Sequence, residues 1–492
     1  MDEGAPAAPR TLTAHGPAQQ MKSSSPPQNT GSQDLPREPL QPPGFAEMLG
    51  FALPLMMGLT TVAVHSIIDS IFVGRLGTAP LAALGMANLY YFTGVALWLG
   101  LMRNSITFTA RAFGARESGR IGNIVAHYQW LALLGIPMLW AAARAFPLMG
   151  RLAGLTEEVG GLAQSYLDIR VWEAGFMLTL LLYSAFYQST GNSRLPMLVN
   201  WGALALNVLL DYMLIFGRLG APNMGIQGAA LATVLAQAAG AAAMLAMAYR
   251  HKIRVRYGLR LLVRPRWWML RNIIVVGVPQ GLGDLMELGG FLAFYAIVGR
   301  LGVVALAASN IGVQVTHLLF MPGLAVGIAA GAYMGRYLGA GAPGVAHTAA
   351  RRMLLMGMTY MGLMGLPLWF LGAPIAMLFT TDVQVISQAA LLFKLMALYQ
   401  AFDGMGMIMR GALNGAGDTR FPVLATLLCK LGVMFPVAWW LSTSMEQRLL
   451  GAWLGASAYL VVLGLTLLLR FERGGWRNIR LDLGQAAGTE EA

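Results

Sequence analysis

The sequence predicts an all-α integral membrane protein: twelve transmembrane helices in two six-helix bundles related by an internal repeat. Two observations carry this prediction, the composition and a duplication. Hydrophobic residues make up 57% of the 492-residue chain and charged residues only 11%, with a mean hydropathy of +0.59. A water-soluble domain carries about 25% charged residues to cover its surface. This chain cannot cover itself, so most of its outer surface faces lipid.

The duplication is read from spacing. Val73-Gly74-Arg75-Leu76-Gly77 with Leu81-Ala82-Ala83 returns as Val298-Gly299-Arg300-Leu301-Gly302 with Leu306-Ala307-Ala308, a shift of 225 positions. The same shift carries Pro54 onto Pro279, Arg111 onto Arg336 and Gly114-Ala115 onto Gly339-Ala340. With the shift grown by one, Gly191, Arg194 and Pro196 return as Gly417, Arg420 and Pro422. Repeated halves in an apolar chain make a transporter with its substrate path at the repeat interface.

The elements follow in order. Residues 1–44 are rich in Pro, Ser, Gln and Gly with no hydrophobic core of a signal peptide, and read as a disordered N-terminal tail. From Leu49 onward, apolar stretches long enough to cross a ~30 Å hydrocarbon core alternate with short polar breaks. They predict helices near 49–73, 81–103, 122–143, 169–190, 195–216 and 227–249 in an N-terminal lobe, 45–249. A second set near 272–298, 304–333, 351–372, 389–412, 421–442 and 449–470 forms a C-terminal lobe, 272–470. The basic segment 250–271 links the lobes, and 471–492 is a C-terminal tail. Pro54 and Pro279 are expected kink sites.

Basic residues fall unevenly on alternate connections: 22 on the set that includes 250–271 and the C-terminal tail, six on the other (Arg75, Arg144, Arg151, Arg218, Arg300 and Arg448). That bias predicts both termini and the linker in the cytoplasm. The basic segment is therefore a topology signal beside anionic headgroups, and the net charge of +12 carries no nucleic-acid reading. Cys429 is the only cysteine, which excludes a disulfide framework. The predominance of Arg over Lys, with abundant Ala and Gly, is the usage of a GC-rich bacterial genome, so the expected location is the bacterial inner membrane. Six scattered histidines form no close ligand pair, and no P-loop, nucleophile elbow or glycine-rich phosphate loop after a strand occurs. The reading is of a transporter and not an enzyme, monomeric, without a cofactor, its energy for active transport coming from an ion gradient or another subunit.

Carboxylates inside the hydrocarbon are the functional signal, since Asp at a helix centre costs about 2.5–3.5 kcal/mol on the insertion scale and persists where it lines a cavity or relays ions. The candidates are Asp69, Asp211, Asp284, Glu287 and Asp403. By the repeat, Asp69 maps to Phe294, Glu287 to Val62 and Asp403 to Met177, so the scaffold is duplicated and the acids are not. Asn207 and Asp211 share a helical face, as do Tyr399 and Asp403. Such an amide or hydroxyl can hold a proton with its carboxylate or add oxygen ligands for a hard cation. Asp284 reads either as a further ligand or as a proton-sharing neighbour of Glu287. Arg170 and Glu173 read as a local ion pair near the outer end of the fourth helix, and Arg103 as snorkelling to the cytoplasmic interface.

Several of these residues fall in patterns: Pro54 with Asp69-x3-Val73-Gly74-x-Leu76-Gly77; Asn207-x3-Asp211-x3-Ile215-Phe216-Gly217; and Pro222-x2-Gly225-x2-Gly228-Ala229-Ala230-x-Ala232-Thr233. The second half adds Pro279-x7-Glu287, Tyr399-Gln400-x2-Asp403-x6-Arg410-Gly411 and Gly417-Asp418-Thr419. Together they resemble the multidrug and toxic compound extrusion family over about residues 45–470. The resemblance implies two six-helix lobes, alternating access, and export of organic cations or amphipathic compounds against inward H⁺ or Na⁺. It implies an N-lobe site of Asp69, Asn207 and Asp211 and a C-lobe cation site of Glu287, Tyr399 and Asp403. Sodium at the C-lobe site is preferred over the proton, because two or three acids there need neutralising. Asp69, Asp211, Glu287 and Asp403 are expected to share one cavity. Arg103, Asp284 and the length of the tail depart from the family pattern. The alternative is a flippase for a lipid-linked saccharide from the same broad superfamily, disfavoured because its cavity would be cationic.

Overall fold

A computed structural model describes residues 41–152, 155–444, 448–479 and 481. Eleven of its helices are long and apolar enough to cross a membrane, and a bent pair makes a twelfth span. The first three spans are α1 (Phe45–Gly74), α2 with α3 (Thr78–Arg103 and Ser105–Gly114) and α4 (Ser118–Leu152). The fourth is the bent pair α5 (Glu157–Arg170) and α6 (Glu173–Ser189), turned by 50° at its break. Spans five and six are α7 (Arg194–Phe216) and α8 (Ile226–Ala248). After a short α9 (His251–Tyr257), the second half runs α10 (Trp267–Gly299), α11 (Val303–Gly339), α12 (Pro343–Met377) and α13 (Val383–Gly415). It ends with α14 (Arg420–Cys429), a π-helical turn (Lys430–Met434) and α15 (Phe435–Ser444) as one span, then α16 (Arg448–Glu472).

The repeat is visible element by element. Gly77 and Gly302 precede α2 and α11 with φ of 129° and 109°, a region open to glycine and strained for other residues, which is why Arg-Leu-Gly is duplicated there. Pro54 and Pro279 lie inside α1 and α10 at matching depth. Several helices run past their expected ends. The fourth span begins at Glu157, twelve residues before the expected start at 169, with Thr156 Oγ1 accepting from Val159 N as its cap. Arg170 and Glu173 therefore sit at a break inside the span and not at its outer end.

The two halves exchange packing at the basic end. Met48, Phe51, Ala52, Leu55 and Met56 of α1 join the hydrophobic core of the second half, while Met269 and Ile273 of α10 join that of the first. Here α3 and α11 approach backbone to backbone. A Cβ on Gly114 would strike the carbonyl of Arg336, and one on Gly339 would strike the carbonyl of Arg111. The two repeat-related arginines reciprocate. Arg336 donates from Nε to Ser189 O (2.8 Å) and from Nη2 to Gln188 O, at the C-terminal end of α6. Arg111 donates from Nη2 to Ala416 O, just past α13, and from Nη1 to Ile479 O (3.3 Å). Each cation thus caps the electronegative end of a helix in the other half.

The linker is strapped along α4. Trp130 Nε1 donates to Val263 O (2.8 Å), and Arg266 N donates to His127 Nε2 (3.0 Å). The start of the expected C-terminal tail is structured, since Trp476 is buried in a 3-10 turn and stacks with Phe471 and His347. Of the expected N-terminal tail, residues 1–40 lie outside the described residues. At its end Arg352 donates to the carbonyls of Pro42 and Pro43.

Replacing either arginine leaves helix-end carbonyls in the other half without donors, at a cost of about 1.5–3 kcal/mol for a charged hydrogen bond. Arg111→Ala and Arg336→Ala should each lower the thermal unfolding midpoint. The double variant should broaden and lengthen the distances between spin labels at Arg116 and Gly344. Labels that keep their wild-type distribution would show that the arginines do not hold this end together.

Candidate functional site

The N-terminal half buries Asp69, Asn207 and Asp211 together. Asp69 is placed by α1, and Asn207 and Asp211 by one face of α7; all three are almost inaccessible, Asp211 completely so at 0%. The two carboxyl groups are close neighbours. Both Asp211 oxygens, Asp69 Oδ1 and both amide atoms of Asn207 find no hydrogen-bond partner among the described residues. Buried polar atoms are nearly always paired, so this concentration of orphans sets the cluster apart among the described residues. The nearest basic group is His65, one helical turn from Asp69, with Nε2 3.3 Å from Asp69 Oδ2. The sequence signal for His65 was its spacing of four from Asp69, obscured because no second ligand accompanied it.

A separate ion pair stands beside this cluster. Arg170 and Glu173 contact each other across the break in the fourth span, both buried. Arg170 also donates to Tyr166 Oη (2.6 Å) and lies over the Tyr91 ring, 5.2 Å from its centroid. Tyr166 in turn donates to Asn88 Oδ1 (3.3 Å). The local pairing expected from spacing is present, at a deeper position. Glu173 is the ion-pair partner of Arg170, so this guanidinium is shared and does not balance the two aspartates by itself.

The C-terminal half holds a cavity of about 680 Å³. Its acids are Asp284 and Glu287 from α10 and Asp403 from α13, with Tyr399 in the same wall. Asp69 and Asp211 do not line it, so the four acids expected to share one cavity divide between two places. Nor is the cavity predominantly acidic, as the sequence suggested: Arg103, Arg410 and Lys430 line it too, matching the three acids. Glu287 is enclosed. Tyr459 Oη lies 3.4 and 3.2 Å from its two oxygens, and Arg410 Nη2 and Lys430 Nζ are each 3.5 Å from Oε2.

Lys430 opens the π-helical turn and donates as well to the carbonyls of Met286 and Glu287, both at 3.1 Å. Gly290 makes the room: a Cβ there would lie 2.6 Å from Nζ. Arg103 does not snorkel to an interface. It points into the cavity, with Nη1 3.3 Å from Asp284 Oδ2, and joins the two halves. Lys430 and Tyr459 were not among the sequence candidates, because their role depends on residues 143 and 172 positions away.

A duplicated twelve-span bundle with a buried acid cluster in one half and a large cavity in the other has the form of a membrane transporter. The MatE family model matches residues 54–213 and 279–440, so the chain belongs to the multidrug and toxic compound extrusion (MATE) family of efflux transporters. It is 28% identical over 447 residues to the probable multidrug resistance protein NorM of Thermotoga maritima, covering 90% of this chain and 95% of that one. With the multidrug resistance protein NorM of Burkholderia vietnamiensis it shares 31% identity over 434 residues, 85% of this chain and 92% of the relative. Its fold is similar to that of an outward-facing multidrug resistance MATE family transporter, with a TM-score of 0.79, 20% identity and coverage of 87% and 95%. The Vibrio cholerae MATE transporter VcmN in its bent form gives a TM-score of 0.78 at 21% identity, covering 87% and 96%.

Glu173→Gln removes the counter-ion of a buried guanidinium, which typically costs about 3–5 kcal/mol. Arg170→Met combined with Glu173→Leu removes both charges and should restore most of that loss. Thermal unfolding of the purified variants measures both, and a double variant no better than Glu173→Gln alone would show that the pair is not what costs the single variant its stability.

Proposed function

We propose that the chain is a secondary active exporter of organic cations and other amphipathic compounds, working by alternating access in exchange for inward H⁺ or Na⁺ held at Asp69, Asn207 and Asp211. It resides in the bacterial inner membrane with both termini cytoplasmic, a placement supported by the uneven distribution of basic residues. The lobes 45–249 and 272–470 are the moving bodies, joined by 250–271. The observation that carries the coupling site is the set of orphaned polar atoms on these three residues. Two carboxyls this close and this buried repel each other when both are ionised, and one monovalent cation or one shared proton relieves that.

The preference for sodium at Glu287, Tyr399 and Asp403 loses its basis in this geometry. It needed excess negative charge in the C-terminal half, and Glu287 is already opposed by Arg410 and Lys430. The C-terminal cavity is better suited to hold cargo: it is large, and Phe291, Phe294, Phe320 and Trp453 give it aromatic walls. The NorM relatives named above are multidrug resistance proteins, one of them a probable one, which accords with an adaptable apolar site.

The decisive experiment imposes proton and sodium gradients separately on proteoliposomes loaded with a cationic dye. One of the two gradients should drive efflux. Asp69→Asn and Asp211→Asn, made at normal levels, should abolish gradient-driven efflux while leaving dye binding in place. A wild-type protein indifferent to both gradients would refute the antiport reading, and an Asp69→Asn variant that still exports uphill would remove Asp69 from coupling.

A further inference from the structure

The six charged residues of the C-terminal cavity are not equally occupied. Glu287, Arg410 and Lys430 form one ion-paired group with Tyr459, and Lys430 is further fixed by two backbone carbonyls. Three charges remain: Arg103, Asp284 and Asp403. Asp403 is half-buried, lines the cavity, and has neither an ion-pair nor a hydrogen-bond partner among the described residues. Arg103 touches only Asp284, and that contact is loose. Asp284 Oδ2 is 3.3 Å away yet lacks hydrogen-bond geometry. Arginine offers five donors in a fork suited to a carboxylate held by two parallel bonds, so a single misaligned contact leaves most of that capacity unused.

We propose that this cavity selects amphipathic zwitterions, with the cargo's acid group replacing Asp284 on Arg103, its cationic group facing Asp403, and its apolar body against the aromatic wall. This rests on the efflux reading above and specifies the substrate of that site. A purely cationic compound would use Asp403 and leave Arg103 as it is. A purely anionic one would meet Arg103 but face Asp403 without compensation. A diphosphate would bring more negative charge than Arg103 and the one positive charge left over on the Glu287–Arg410–Lys430 group can balance beside Asp403. Only a molecule carrying both signs uses both free groups.

The position of Arg103 gives the exchange a second consequence. Arg103 ends α2 in the first half, and Asp284 lies on α10 in the second. Beside them the backbones of Gly100 and Gly281 meet, and Asn104 Nδ2 donates to Gln280 Oε1 (3.3 Å). Drawing Arg103 away from Asp284 therefore loosens a contact between the halves at the moment cargo binds.

The test is equilibrium binding to the full-length protein in lipid nanodiscs without any ion gradient. It uses three fluorescent probes with one aromatic body, carrying a quaternary ammonium, a carboxylate, or both. The zwitterion should bind tightest to the wild type. Arg103→Gln should lower its affinity at least about tenfold more than that of the cation, as expected for loss of a charged hydrogen bond, and Arg103→Lys should recover part of the difference. Asp284→Asn, which frees Arg103, should tighten zwitterion binding; this variant keeps the test open if Arg103→Gln fails to fold.

A wild type that binds the cation as tightly as the zwitterion would overturn the proposal. So would an Arg103→Gln effect equal for all three probes, an Asp284→Asn variant with unchanged zwitterion affinity, or displacement of the zwitterion by an isoprenoid diphosphate at lower concentration than by itself. Because binding is read without gradients, these outcomes are separate from a failure of ion coupling, which only the proteoliposome assay reports.

Discussion

The contact on which the rest of the arrangement depends is the close approach of α3 and α11 at the basic end. Two helix backbones meet there because Gly114 and Gly339 carry no side chain at the crossing. That closeness brings Arg111 and Arg336 within reach of helix ends in the opposite half, so each half supplies the cation that satisfies carbonyls of the other. Small residues at the crossing and charged donors beside it form one device, since neither arginine would reach if the helices stood a side chain farther apart. The glycines and arginines are among the residues that the duplication preserves, as expected for a contact requiring the same chemistry from both partners.

Charge away from that contact is distributed unequally. In the first half, Asp69 and Asp211 are buried with orphaned oxygens and His65 beside Asp69, while the strong cation Arg170 is paired with Glu173. In the second half, cations and acids are equal in number and partly paired. A buried site with uncompensated negative charge gains from taking up a cation, whereas a balanced cavity gains only from a guest that substitutes for one of its own pairings. The two halves therefore suit different guests on physical grounds.

Much of this was legible from the sequence. The repeat fixed which elements correspond, and the cost of placing Asp in hydrocarbon singled out Asp69 and Asp211, with Asn207 on the same face as Asp211. The break in the fourth span was not legible, because Ile169-Arg170-Val171-Trp172 contains neither Pro nor Gly and reads as continuous helix. Placing that helix too late also put Arg170 and Glu173 at an interface instead of deep in the bundle. The C-terminal cavity was misjudged for a different reason. Counting intramembrane acids without their partners made it look negative, whereas Lys430 reaches Glu287 across 143 positions and depends on a π-helical turn to do so. Helical periodicity finds neighbours three or four residues apart and is silent about pairings of this range.

Arg103 shows how such a pairing changes meaning with depth. At the end of an apolar helix, an arginine's ordinary course is to extend toward headgroups, where its charge is hydrated. Here α10 crosses its path with Gly281 against Gly100, so the side chain meets Asp284 in the cavity instead. The two residues matter together: Arg103 alone would leave a cation facing the cavity unpaired, and Asp284 alone would add a third acid beside Glu287 and Asp403. Present as a pair, they leave the net charge of the cavity unchanged while adding a group of each sign to its wall. Charge of both signs is thus placed on the cavity wall without involving the acid cluster in the other half.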